Sequence, residues 1–169
     1  ILYLTDSIDE FALQVMREFD EKQFKSVSGE DLDIEESKEE KEAAEKQAEE
    51  SKDLLEFMKE SLDGKVSEVK LSHRLKSHPV CLTSKGGLSI EMEKVLNAMP
   101  TDEKVQAERV LEINAKHPVL EKLKKEYDTD KDTVKKYTAL LYDQARLIEG
   151  LPIEDPVEFS NAVCELMTK

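Results

Sequence analysis

Apolar residues recur at helical spacing in two stretches near the end of the chain, and these organise the reading of the rest. In the first, Val134, Tyr137, Leu141, Ala145 and Ile148 share one face, while Leu140 and Leu147 form a flanking row that widens it. A Gly150-Leu151-Pro152 turn follows. The second begins with Asp155-Pro156-Val157-Glu158, which supplies an N-cap carboxylate, a proline at the first helical position and a Glu placed as in a capping box. Its apolar positions Phe159, Ala162, Val163, Leu166 and Met167 run almost to the last residue. Two such helices form half of a four-helix bundle, so the pattern predicts a dimer.

The preceding pattern is mixed. Ile1 to Leu4 is an apolar run expected to be a short buried strand, and Thr5-Asp6-Ser7 offers cap chemistry for a helix carrying Ile8, Phe11, Ala12, Val15 and Phe19. Phe24 to Ser28 alternates as a second short strand. A helix regains a buried side at Leu54, Leu55, Phe57, Met58 and Leu62, and Asp63-Gly64 stops it. Val66 to Leu71 and Val80 to Ser84 read as neighbouring strands of one small sheet, with Arg109 to Asn114 as a third. Between them a helix from Ser89 to Met99, preceded by Leu88, carries a stripe of Leu88, Met92, Val95, Leu96 and Met99. His117-Pro118 opens another helix with Val119, Leu120 and Leu123.

Charge modifies this picture at one place. From Glu30 to Asp53 there are twelve acidic and four basic residues, which contribute eight of the chain's fourteen net negative charges. The stretch reads as a solvated helix supported by Ala43, Ala44 and Ala48 and by pairs such as Glu42 with Lys46, in preference to an acidic interaction tail. A net charge of -14 repels phosphate backbones and anionic lipid heads, which argues against nucleic-acid and membrane partners. The 169 residues include only two cysteines, Cys81 and Cys164, which fits a reducing compartment, and no apolar run is long enough to span a bilayer. The chain begins at Ile1 without Met, and is read as a fragment of a longer protein.

Candidate chemistry is sparse. His73, His78 and Cys81 lie within nine residues but match no standard zinc spacing. The Lys85-Gly86-Gly87 loop lacks the length and the Gly-Lys-Ser/Thr ending of a P-loop, so a strand-to-helix turn is the stronger reading. No nucleophile and base recur at a recognisable spacing. The Met92 to Met99 stripe has two readings, core packing or an adaptable surface for varied apolar partners, since thioether side chains re-pack at little cost.

The order YLTDSIDEFALQVMREFDEKQFKSVS, VSEVKLSHRLKSHPVCLTS, LEINAKHPVLEKL and LLYDQARLIEGLPIEDPVEFSNAVCELM resembles the bacterial HtpG-type chaperones of the ninety-kilodalton heat-shock family. The resemblance implies a C-terminal dimerisation domain over 35–169, with a charged helix (35–62), a small α+β core (63–130) and a dimerisation hairpin (131–169), preceded by the end of a middle domain (1–34). It implies an intermolecular four-helix bundle through Val134, Tyr137, Leu140, Leu141, Ala145, Ile148, Phe159, Val163, Leu166 and Met167. It also raises the exposed reading of Leu88, Met92, Val95, Leu96 and Met99, as a contact for non-native client polypeptides. ATP and Mg are expected in an N-terminal domain absent from this stretch, so no cofactor, no metal and no enzymatic role are expected within it, and the cytoplasm is the implied location.

The expected fold is therefore α+β, a small mixed sheet with packed helices and a terminal hairpin that pairs with its copy. A rival of another class is a free-standing acidic helical adaptor in which the charged helix recognises a basic partner.

Overall fold

The computed structural model describes residues 1–6, 8–26, 38–100 and 104–168, with side chains from 42 onward in the charged helix. In chain order the elements are α1 (Asp9–Met16), β1 (Glu18–Phe19), β2 (Lys22–Gln23), α2 (Lys38–Glu50), α3 (Lys52–Ser61), β3 (Glu68–Ser72), β4 (Val80–Lys85), α4 (Ile90–Ala98), β5 (Glu108–Asn114), α5 (Pro118–Thr129), α6 (Lys131–Ile148) and α7 (Pro156–Met167). The class is α+β, with one two-stranded and one three-stranded sheet among the described residues.

The chain divides into two compact units, Ile1–Ile34 with Thr83–Glu108, and Glu35–Leu82 with Arg109–Lys169. In the first, β1 and β2 form an antiparallel hairpin pairing Glu18 with Gln23 and Phe19 with Lys22. Its turn residues Asp20 and Glu21 both have positive φ, 51° and 60°, the geometry that matches a tight hairpin to the twist of its strands. Ile1 to Leu4, expected as a strand, forms no regular element and is exposed. An apolar run becomes a strand only against a hydrogen-bonding neighbour, and no strand among the described residues pairs with it. The strand expected over Phe24 to Ser28 is not formed over Phe24 to Ser26, β2 being the two residues just before them, while Val27 and Ser28 lie outside the described residues, as do Ser7 and the acidic run from Glu30 to Ser37.

The second unit is built around β5. Its order in the sheet is β3-β5-β4, so the strand expected third in the sequence separates the two that were expected to be neighbours. Burial explains the central place: Val110, Leu111 and Ile113 are fully buried, and the strand is covered on both faces from Arg109 to Asn114. β3 lies parallel to it, pairing Glu68 with Val110 through Ser72 with Asn114. The connection after β3 is then fastened across the end of β5. The Asn114 backbone N–H donates to the Pro79 carbonyl at 2.9 Å, and its side-chain amide donates to the His78 carbonyl at 2.9 Å.

Helix α3 places Leu54, Leu55 and Met58 in the core and packs on β3 and α6; α5 contributes Leu120 and Leu123 and also packs on α6. After α3, Asp63 and Gly64 take positive φ (48° and 79°), the reversal expected from that Asp-Gly pair. His117 rather than a hydroxyl caps α5, its Nδ1 accepting the Val119 N–H at 3.2 Å.

Candidate functional site

The terminal hairpin is positioned by caps at each of its ends. Asp130 accepts the Thr133 N–H at 3.1 Å and opens α6. At the other end, Gly150 at φ 68° lets the Leu151 N–H return to the Arg146 carbonyl at 2.8 Å, closing the helix. Asp155 then accepts the N–H groups of Val157 at 3.0 Å and Glu158 at 2.9 Å, with Pro156 at the first turn of α7. Asp155, Pro156 and the Gly150 turn stand where the sequence pattern places them, and Asp130 adds a cap that it did not name.

Burial separates the two helices. Within α6, Val134, Leu140, Leu141 and Ala145 are buried in the chain's own core beside Tyr142 and Thr138, so they offer no surface to a second molecule. Tyr137 is half-buried, and Ile148 is 47% exposed. Helix α7 buries no residue at all. Phe159 and Val163 are half-covered, whereas Leu166 is 44%, Val157 69% and Met167 79% exposed. A shallow hollow between the helices is lined by Lys136, Tyr137, Leu140, Ala162, Glu165 and Leu166. An apolar helix left this open presents the kind of face that associates.

Two ionic ties hold α7 along α6. Lys136 Nζ lies 2.9 Å from Glu165 near the far end of the pair. At the near end Glu154 accepts from Lys65 Nζ at 2.9 Å and from the Arg146 guanidinium. Lys65, followed by Arg146, holds the Glu154 carboxyl below its ordinary range, and the same hydrogen bond raises the Lys65 pKa. The Arg146 and Lys65 cations also lie over the Tyr142 ring, 5.7 and 5.9 Å from its centroid. None of these partners was singled out from the sequence, because their pairing spans loops with no periodic signal.

The methionine stripe is divided as well. Ser89 caps α4 by accepting the Met92 N–H at 3.0 Å and donates its hydroxyl to Glu10 at 2.6 Å. Met92 is buried and receives the Gln14 amide on its sulfur at 2.9 Å. Leu88, Val95 and Leu96 are half-buried, and Met99 is 45% exposed. The stripe is thus split by burial, with Met92 in the core and the Met99 end open.

His73, His78 and Cys81 do not converge, and no group of three or more His, Cys, Asp or Glu among the described residues is placed to hold a metal ion. Burial, with Glu112 nearby, pushes the Cys81 thiol up to about 12. Glu112, which the spacing did not flag, is nearly fully buried on β5 and bonded by Arg74 at 2.9 and 3.2 Å, with Lys70 at 3.6 Å. No helix among the described residues is long and apolar enough to cross a membrane.

Comparison with known proteins gives this arrangement its context. The model of the Hsp90 protein family matches residues 1–169. "Chaperone protein HtpG" of Clostridium acetobutylicum is 56% identical over 167 residues, covering 99% of this chain and 26% of that protein. The proteins of the same name from Halalkalibacterium halodurans and Bacillus licheniformis are 56% and 54% identical over the same lengths. The chain thus spans about a quarter of the curated relatives it matches. These matches overturn one expectation. The sequence reading excluded an enzymatic role, and ATP and Mg, from this stretch. With the family match running over all 169 residues and onto a quarter of each chaperone, that exclusion is withdrawn. By the extent of the family match and the identity to these relatives, the chain belongs to the Hsp90 protein family.

Proposed function

We propose that this chain is a C-terminal homodimerisation and client-contact region of a cytoplasmic Hsp90-family chaperone, divided as 1–34 and 35–169. The observation that carries the reading is α7, a twelve-residue helix capped at its start, apolar along its length and without one buried side chain. A second copy of the hairpin is the occupant we assign, since the exposed Leu166, Met167 and Ile148 would meet the same residues of the copy about a two-fold axis. A dimer joined through this hairpin is expected to bury on the order of 2,000 Å² in all, the range of stable dimers. The open Met99 end of α4, flanked by Leu96 and Val95, is the surface offered to unfolded polypeptides.

Light scattering should give twice the chain mass at micromolar concentration, and Leu166→Glu should give monomers with helical content retained. A wild-type monomer at that concentration would refute the dimer. Leu166 is a cleaner probe than Leu141, because Leu141 is buried inside the chain and a charge there would damage folding first. For the client surface, Met99→Ser with Leu96→Ser should reduce crosslinking to an unfolded polypeptide, and unchanged crosslinking removes α4 from that role.

A further inference from the structure

We infer that Glu154 is a positioning residue for α7, a carboxylate clasp that fixes the angle at which the hairpin presents its apolar face. The inference rests on the dimer reading above. Glu154 lies in the short connection between α6 and α7, one residue before the Asp155 cap, so its place in space sets where α7 begins. Its carboxylate is held from two directions. Lys65 reaches it from the loop between α3 and β3, and Arg146 from the last turn of α6.

The two cations are not equivalent. Lys65 is about half exposed and would return to water if released. The Arg146 side chain is buried, its guanidinium lies over Tyr142, and its Nε has no hydrogen-bond partner. Losing Glu154 would leave that guanidinium with the half-buried Asp143 as its neighbouring charge. The opposite end of the hairpin carries the Lys136–Glu165 pair, both of whose side chains are more than half exposed. An end tied to a buried guanidinium and an end tied through an exposed pair make α7 a lever about Glu154, since its inner residues Phe159, Ala162 and Val163 are only half-covered.

The test compares Glu154→Gln with wild type by sedimentation equilibrium of the full chain, and by amide exchange of α7. Glu154→Gln keeps the shape and removes the charge. The dimer dissociation constant should rise roughly three- to tenfold at low salt, the scale of a charge-assisted hydrogen bond partly exposed to solvent. That difference should shrink in about 1 M salt, where the Debye length is near 3 Å. Lys136→Gln should have a smaller effect at any salt. In the Leu166→Glu background, where association is blocked, Glu154→Gln should still speed exchange of the α7 amides severalfold. Unchanged α7 exchange there overturns the clasp whether or not the chain dimerises, and an unchanged dissociation constant in a wild-type dimer overturns it equally. A monomeric wild type with faster α7 exchange in the variant refutes the dimer and retains the clasp.

Discussion

At the scale of single residues, the least legible feature was Glu112. In Arg109-Val110-Leu111-Glu112-Ile113-Asn114 a charge stands inside an apolar strand, and nothing in the local pattern tells whether it faces water or core. The structure buries it and supplies Arg74 and Lys70 from β3 and the loop after it, partners separated from it by about forty residues. A buried ion pair contributes little net stability, but breaking it by removing one partner leaves an uncompensated charge. Arg74→Met removes the closer cation but leaves Lys70 3.6 Å from Glu112, so it should cost about 1–3 kcal/mol. The double variant Arg74→Met with Glu112→Leu should recover most of it, because no buried carboxylate remains. Chemical denaturation of the four members of this cycle measures the coupling, and equal losses in the single and double variants would show that Arg74 acts only through its packing.

At the scale of elements, the hairpin was legible because its determinants are local. A 3.6-residue period and capping residues at fixed offsets identify α6 and α7, and α7 spans Pro156–Met167 as the Asp155-Pro156 start requires. The central sheet was legible as three strands and not as an order, since strand order depends on which strand can be covered on both faces. Which half of α6 is core was likewise hidden: Leu140, Leu141 and Ile148 look alike in sequence, yet the packing of α6 with α3, α5 and α7 buries the first two and leaves the third exposed. Two predictions belong here. Asp155→Ala removes the acceptor of two N–H groups and should cost about 1 kcal/mol of helix stability. It should appear as increased exchange of the first α7 amides, while α6 stays protected. The Glu154 clasp also fixes a pH dependence. Its carboxyl is depressed from 4.5, so its stabilisation is present above that value and lost as pH falls through the lower folded value. Lys65 is raised from 10.5, so its share is present below that value and lost as pH rises through the higher folded one. Between these limits the α7 exchange rates, corrected for intrinsic pH dependence, should not move, and in strong acid the wild type should come to resemble Glu154→Gln.

At the scale of the whole molecule, association competes with charge. Each chain carries fourteen net negative charges, so in the proposed dimer two copies would repel at long range while their apolar helices attract at contact. If α7 completes its burial only against a second copy, folding of the hairpin unit and dimerisation are linked by mass action. With the chain at about a hundred times its dissociation constant, association adds about 2.7 kcal/mol to apparent stability. For a chain of this length each kcal/mol raises the midpoint by about 2–4 °C, so dilution toward the dissociation constant should lower it by roughly 5–10 °C. Tyrosine signals report the relevant unit, because Tyr127, Tyr137 and Tyr142 lie within it and the chain has no Trp. Leu166→Glu should melt at one temperature whatever its concentration, near the dilute limit of the wild type. Added salt should raise the wild-type midpoint at low concentration by screening the repulsion between copies, and should do so more in Glu154→Gln, which has no clasp for the same salt to weaken. A wild-type midpoint independent of concentration over two decades would mean that α7 is stable with its apolar face in water, and that the second copy contributes nothing to its folding.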